Sequence, residues 1–304
     1  MSAWLDKNVL VIGAARQGQA AARHLAGQGA HVILNDQKPA AECDAIKASF
    51  SNSNIRFEFD GHPLELLKGV DLVCVSGGVP LTLPLVQEAY RRNIHVTNDS
   101  QLFMENVPCP VIGITGSAGK TTTTTLVGRM AQAAVDQHLV PYRKVWVGGN
   151  IGTPLIDQLD RIQPNDLVIL EFSSFQLELM TSAPHVATIL NITPNHLDRH
   201  TSMAAYTAAK QHILDHQKNQ DIAVLNREDP GAFRLKAKVK GRLVTFGLQP
   251  SDLPGTFLEG GMITFKDENG EHRLFSRDLI ELRGEHNVVN VMAAAAIAWM
   301  SGIP

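Results

Sequence analysis

The sequence predicts an α/β fold in two domains, and three observations carry that expectation. Short apolar runs rich in Val and Ile alternate with longer segments of helical period, the pattern of a parallel sheet wrapped by helices. The alternation occurs twice, once on each side of a Pro-containing joint, "NVPCPV" at 106–111. Near the end the period changes to strict alternation, which marks a small antiparallel β extension.

In the first half, "NVLVIG" reads as a strand, 17–26 as a helix, "HVILND" and "DLVCVS" as strands, 83–92 as a helix and "IHVTND" as a strand. The second half repeats the pattern with "VIGIT", a helix after Lys120, "KVWVGG", "DLVILE", "VATILNIT", a helix over 203–216 and "DIAVLN". "TFLEGG" is then a strand, and "MITFKDENGEHRLF" a hairpin turning at 268–270. An Ala-rich helix over 287–300 closes the segment.

Composition excludes several classes. With 304 residues, 44% hydrophobic and 19% charged, the chain is long enough for two globular domains and unlike a collagen, a coiled coil or a disordered polymer. A formal charge of -3 without a Lys/Arg run leaves no field for nucleic acid. Cys43, Cys74 and Cys109 are odd in number and widely spaced, which favours a reducing cytoplasm over a disulfide framework or a zinc site. "MSAWLDKNVL" lacks the apolar stretch of a signal peptide, and "VVNVMAAAAIAWM" is too short to span a bilayer, so no membrane association is expected.

The segment with the most chemistry is "VIGITGSAGKTTTTTLV", a strand, a glycine loop and a helix start. Backbone N–H groups at a helix N-terminus form a concavity for an anion, and the helix dipole favours it there. Gly116 and Gly119 permit close approach, Lys120 supplies a point charge for outer phosphates, and Thr121 offers a hydroxyl to Mg²⁺. The usual G-x-x-x-x-G-K-[ST] spacing needs a glycine at Ile114, so this loop is shorter than the common one. Thr122–Thr125 have a plain explanation, back-bonding to the chain and packing of one face, with Thr121 and Thr122 the functional candidates.

"DLVILEFSSFQLE" sets Glu171 at the C-terminal end of an apolar strand, the edge where open α/β sheets bind ligands. A carboxylate there can hold Mg²⁺ against ATP oxygens or cap the following turn. His196, Asp198, Arg199 and His200 cluster after another strand in "NITPNHLDRH". A lone histidine would be structural, whereas four polar groups at a strand end indicate a site.

Taken in order, "TGSAGKTTTTTL", "GGNIG", "LEFSSFQLE", "NHLDRH", "YTAAKQHI" and "GEHNVVNVMAA" resemble the Mur ligase family, which adds amino acids to the peptidoglycan precursor. The match covers essentially the whole chain, and "SSFQLE" and "NHLDRH" are similar to the D-glutamate-adding branch. The resemblance implies a Rossmann-like UDP-substrate domain over 1–107 and a central P-loop-type ATP-binding domain over 108–304. It also implies ATP-dependent, ADP-forming amide synthesis from UDP-N-acetylmuramoyl-L-alanine and D-glutamate through an acyl phosphate. A cytoplasmic monomer is the expectation.

By the same resemblance, Thr115, Gly116, Ser117, Ala118, Gly119, Lys120, Thr121 and Thr122 hold ATP, with Asn287 and Asn290 on the adenine side. Thr121 and Glu171 would hold one Mg²⁺, and His196 a second, beside a carbamate formed from CO₂ on Lys210. Without the resemblance, Lys210 reads as a solvated helix lysine and Asn287 as a helix cap. Free lysine at pH 7 lies about 3.4 units below its pKa, so the neutral amine costs roughly 4.6 kcal/mol, and only a positive site favours the carbamate. Asn150, Ser173, Ser174 and Gln176, with His196, resemble the lining of the muramoyl-peptide pocket.

"VIGAARQG" keeps Gly13 and Gly18 but has Ala15 where a dinucleotide fingerprint wants its middle glycine. Read alone it is a weak NAD signature, whereas the resemblance assigns Ala14, Ala15, Arg16, Asp36, Ser76 and Gly77, within the loop "SGGVPL", to the UDP moiety. The family also has a C-terminal domain that closes over ATP, without a counterpart before Pro304, so binding without complete ligation is expected of these 304 residues alone. The rival functions are another Mur or folylpolyglutamate-type ligase, a nicotinamide oxidoreductase led by Gly13–Gly18, and a non-catalytic nucleotide-binding protein.

Overall fold

The computed structural model describes residues 3–50, 55–195 and 199–304. The chain forms two compact units, one of Met1–Val107 with Thr153–Arg161, the other of Pro108–Gly152 with Ile162–Pro304. Thr153–Arg161, which the sequence reading leaves in the second half, is part of the first unit.

The first unit runs β1 (Asn8–Ile12), α1 (Arg16–Gly27), β2 (His31–Asn35), α2 (Asp44–Ala48), β3 (Ile55–Glu58), β4 (Leu72–Val75), α3 (Pro84–Arg91), β5 (His95–Thr97) and α4 (Asp99–Asn106). Its five strands pair in parallel in the order β3-β2-β1-β4-β5. β4 is buried throughout and β1 along all but its first residue, as expected for strands covered on both faces. Strand order reverses at β1, so the crevice between the C-terminal ends of β1 and β4 is the topological switch point where such sheets bind ligands. β3 and α4 were not anticipated. α4 follows β5 directly, started by Asn98, whose side chain accepts from Gln101 N at 2.8 Å.

The second unit runs β6 (Val111–Thr115), α5 (Lys120–Asp136), β7 (Val145–Gly149), β8 (Leu167–Glu171), α6 (Ser174–Leu177), β9 (Val186–Ile189), α7 (Met203–Asp215) and β10 (Ile222–Asn226). It continues with α8 (Pro230–Phe233), β11 (Arg242–Phe246), β12 (Gly255–Glu259), β13 (Met262–Asp267), β14 (Gly270–Ser276) and α9 (Glu285–Met300). Among the described residues these strands form one sheet, β14-β13-β12-β11-β10-β9-β6-β8-β7. Pairing is parallel from β7 to β12 and antiparallel from β12 to β14, so the expected extension is an edge of the main sheet, joined through β11, a strand the sequence reading omitted.

β6 lies between β8 and β9 and is buried along its length. Its last residue therefore delivers the glycine loop at the sheet's C-terminal edge. α5 and α9 pack together over this sheet, with Val127, Ala131 and Ala134 of one sharing a core with Met292, Ala293, Ala296 and Ile297 of the other. The alanines of α9 let the two helices approach closely while burying apolar surface at about 25 cal/mol per Å².

Two local expectations are corrected. α9 starts at Glu285 after Gly284, which has φ 90°, so Asn287 lies inside the first turn and donates from Nδ2 to Arg283 O at 2.7 Å instead of capping. Thr123 and Thr124 pack into the interior, but their hydroxyls make no hydrogen bond, so the threonine run fills space without back-bonding at these two positions. The three cysteines are buried and free, and among the described residues no helix is long and apolar enough to cross a membrane.

Candidate active site

The loop between β6 and α5 is fixed from several sides. Gly119 has φ 82°, which favours glycine, and a Cβ there would have to displace the Asn290 side-chain amide. At Gly116 a Cβ would come within 2.9 Å of Leu190 Cβ. Thr115 Oγ1 donates to Phe172 O at 2.9 Å. Ser117 N donates to Asn191 O at 3.0 Å, and Ala118 N to Asn191 Oδ1 at 2.8 Å. Asn191 Nδ2 returns a bond to Ala118 O at 3.1 Å, so this side chain clamps the loop's second turn. The first amides of α5 have no acceptor within the helix itself, so they are available to an acceptor outside it.

Two lysines converge on this loop. Lys120 Nζ donates to Gly116 O at 3.0 Å, and Lys210 Nζ, from α7, donates to the same oxygen at 2.9 Å. Lys210 also lies 3.3 Å from Thr115 Oγ1 and 4.7 Å above the Tyr206 ring. It is only 1% exposed, which replaces the solvated helix lysine of the sequence reading. Burial, reinforced by the neighbouring Lys120 charge, pushes its ammonium down to about 7. Burial also lowers Lys120, with Glu171 acting in the opposite direction.

Glu171 ends β8 with 1% exposure, and its hydrogen-bond partners are neutral. Thr121 donates from Oγ1 to Oε2 at 2.8 Å, and Asn150 from Nδ2 to Oε1 at 2.9 Å. Gly149 has φ 95°, and a Cβ there would overlap Glu171 O, so the "GGN" turn brings Asn150 onto the carboxylate by close backbone approach. A buried carboxylate beside a hydroxyl is a pair of hard oxygen donors, which fits Mg²⁺. Among the described residues no three His, Cys, Asp or Glu side chains gather as a metal centre.

Ser173 caps α6 in a reciprocal box: Gln176 N donates to Ser173 Oγ at 3.3 Å, and Ser173 N to Gln176 Oε1 at 2.9 Å. Gln176 and Ser174 are buried, and Ser174 Oγ is 2.8 Å from His200 Nε2. Asn290 lies against Gly119 and donates to Asn287 Oδ1 at 3.2 Å. The structure thus assembles Thr115–Thr121, Asn150, Glu171, Lys210 and Asn290 around one loop. Thr122 lies in the first turn of α5. His196 and Asp198 lie outside the described residues. Asn191 and Tyr206, whose hydroxyl is 3.1 Å from Ser117 Oγ, were missed by the sequence reading. "NIT", beginning two residues after the end of β9, was the available signal for Asn191.

In the first unit, Gly13 has φ 96°, and a Cβ there would lie 2.8 Å from Ser76 Cβ, so the β1 and β4 loops touch at the switch point. Gly18 packs directly on the Gly13 carbonyl, leaving no room for a side chain. Asp36 accepts from Ala14 N at 2.6 Å and Lys38 N at 3.0 Å, so its carboxylate ties the end of β2 to the loop after β1. Ala15 precedes α1 in extended conformation, Arg16 opens that helix, and Ser76 is buried with Gly77 following it.

A sheet-edge glycine loop with Lys-Thr, backed by a strand-end glutamate and a second, buried lysine, can be compared with known proteins. Residues 114–298 match the model of the Mur ligase middle domain, and residues 7–98 that of the MurD-like N-terminal domain. The chain belongs to the Mur ligase family. The UDP-N-acetylmuramoylalanine--D-glutamate ligase of Pelotomaculum thermopropionicum is 41% identical over 98% of this chain and 64% of its own length. The ligase of the same name from Koribacter versatilis is 37% identical over 98% and 64%. This Mur ligase chain thus spans about two thirds of the length of those relatives. Among solved structures, the UDP-N-acetylmuramate:L-alanyl-gamma-D-glutamyl-meso-diaminopimelate ligase from Neisseria meningitides superposes with TM-score 0.64 at 16% identity, covering 98% of this chain and 94% of that one. The UDP-N-acetylmuramate-alanine ligase of Thermotoga maritima gives TM-score 0.53 at 23% identity over 97% and 65%. Those two likenesses establish the fold: a parallel sheet and a larger mixed sheet of Mur ligase type.

Proposed function

We propose that this chain serves the ATP-dependent, ADP-forming ligation of D-glutamate to UDP-N-acetylmuramoyl-L-alanine in the cytoplasmic synthesis of peptidoglycan precursor. The observation that carries the reading is the convergence of Lys120 and Lys210 on the Gly116 carbonyl, next to the Thr121–Glu171 pair. The Lys120 cation and a helix N-terminus at one point suit a polyphosphate, with the Lys210 amine and the Thr121–Glu171 pair beside them for the metal, and the names of the 41% and 37% identical relatives supply the substrates.

The chemistry follows from the poor electrophilicity of a carboxylate. Its oxygen takes the terminal phosphoryl group of ATP, the bond to ADP breaks, and an acyl phosphate forms. The D-glutamate amine then attacks the carbonyl carbon, loses a proton, and expels phosphate to leave an amide. Loop amides and Lys120 stabilise charge on the transferred group. Thr121 and Glu171 would hold one Mg²⁺ and His196 a second, and bound Mg²⁺ neutralises phosphate charge. Lys210, brought to about 7, has a substantial neutral fraction at physiological pH, so its nitrogen can add to CO₂, losing a proton to give a carbamate. The cost of exposing the neutral amine is thereby largely removed. In the first unit Ala14, Ala15, Arg16, Asp36, Ser76 and Gly77 serve the UDP moiety. Ser173 and Asn150 serve the muramoyl-peptide, with Ser174 and Gln176 as framework.

Calorimetric titration tests the reading. The 304-residue chain is expected to bind a Mg²⁺-ATP analogue and to prefer UDP-N-acetylmuramoyl-L-alanine over UDP-muramoyl precursors with longer peptides. Equal affinity for the longer precursors would assign the chain to another ligation step, and NAD binding in place of the UDP-sugar would reject it.

A further inference from the structure

His200 is the centre of a run of contacts that begins away from the loop and ends on it. The imidazole is 3% exposed. Its Nε2 lies 2.8 Å from Ser174 Oγ and its Nδ1 3.3 Å from Glu178 Oε1. The imidazole thus meets a hydroxyl at one nitrogen and faces a carboxylate with the other. One ring face stacks on Phe175, centroids 5.0 Å apart and planes 3° from parallel. Tyr206 packs against the same ring at 5.0 Å and 55°.

Tyr206 is itself buried, with its hydroxyl 3.1 Å from Ser117 Oγ in the phosphate loop. Ser117 Oγ donates to Thr193 O at 2.9 Å and accepts from Thr193 N at 3.0 Å. Serine, histidine and carboxylate in this order have the connectivity of a hydrolytic triad. A nucleophile must meet substrate, however, and Ser174 is 3% exposed at the start of α6 with its oxygen turned to the buried imidazole. A buried ring bonded to Ser174, facing Glu178 and stacked on Phe175 has one orientation, which suits support of a neighbouring site.

We propose that His200 is a positioning residue for the phosphate loop: Ser174 and Glu178 lock the imidazole, the imidazole sets the Tyr206 ring, and the Tyr206 hydroxyl holds Ser117. The inference rests on the reading of 115–121 as a nucleotide loop. It assigns no contact between His200 and substrate.

The test is a double-mutant cycle on Mg²⁺-ADP affinity with the 304-residue chain, at a temperature where thermal melts show each variant folded. His200→Ala and Tyr206→Phe are each expected to weaken binding about three- to tenfold, the range of one aromatic pair or one hydrogen bond. The double variant is expected to bind no more weakly than the poorer single, because both act through Ser117. Ser174→Ala should give a smaller loss, and takes the place of His200→Ala in the cycle should that variant not fold. A His200 with only a stabilising role would lower the melting temperature while leaving affinity intact, or its effect would multiply with that of Tyr206→Phe; either result overturns the proposal. Failure of the unmutated chain to bind Mg²⁺-ADP at millimolar concentration would refute the nucleotide loop itself, and the inference with it.

Discussion

Lys210 shows how one residue's environment sets its chemistry. Its folded pKa of about 7 lies below the unfolded value of about 10.4, so the unfolded chain binds the extra proton between those limits. Stability from this group therefore rises with pH across that window and is lost as pH falls toward 7. In CO₂-free buffer, urea titrations should show Lys210→Met more stable than the parent at pH 6–7 by a few kcal/mol, the gap closing by about pH 10. Parallel pH profiles for the two proteins would remove burial as the cause. Gly119→Ala is the complementary case, since φ 82° and the Asn290 side chain both oppose a Cβ. It is expected to cost about 2 kcal/mol and to weaken Mg²⁺-ADP binding, read by denaturant titration and calorimetry.

At the level of elements, helix starts do the positioning, and opposing forces meet there. Asp99 sits in the first turn of α4, where the dipole favours its charge, yet burial dominates and raises it to about 6. Its folded pKa is above the unfolded value of about 3.9, so the native state holds the proton longer. The stability it contributes is present in acid and lost as pH rises through about 6. Asp99→Asn should therefore raise the thermal midpoint at pH 7.5 and leave it nearly unchanged at pH 4, by scanning calorimetry. α5 gives a functional counterpart. Lys120→Met removes a half-buried cation whose pKa burial already depresses, so the ligand-free chain should keep its stability, while Mg²⁺-ADP affinity falls about ten- to a hundredfold, the worth of a charged hydrogen bond. A loss of stability equal to the loss of affinity would place Lys120 among framework residues.

For the whole molecule, the two compact units give the reading a spatial test. Ligands that bind only the folded state add about 2.7 kcal/mol at a hundred times Kd, expressed where they bind. In hydrogen exchange, Mg²⁺-ADP is expected to protect the amides of 115–123 in the second unit, and UDP those around 13–18 and 76–79 in the first. Protection by UDP confined to the second unit would contradict the assignment of Asp36 and Ser76.

Much of this was legible in the chain order. Hydrophobic period located β1, β2, β4 to β10 and the closing hairpin, because strand and helix faces repeat over a few residues. The loop from Thr115 to Thr121 and the position of Glu171 were equally local, being a spacing and a strand end. What the tertiary structure decided is the state of those groups. Lys210 is a depressed-pKa amine only because α7 buries it against Thr115 and Gly116, about 95 residues away in sequence. Asn191, Tyr206 and His200 gain roles only through packing, and Asp36 turns to the Ala14 amide only because β1 and β2 pair in register. Periodicity is a property of neighbours along the chain, whereas burial, pKa and hydrogen-bond partnership belong to neighbours in space.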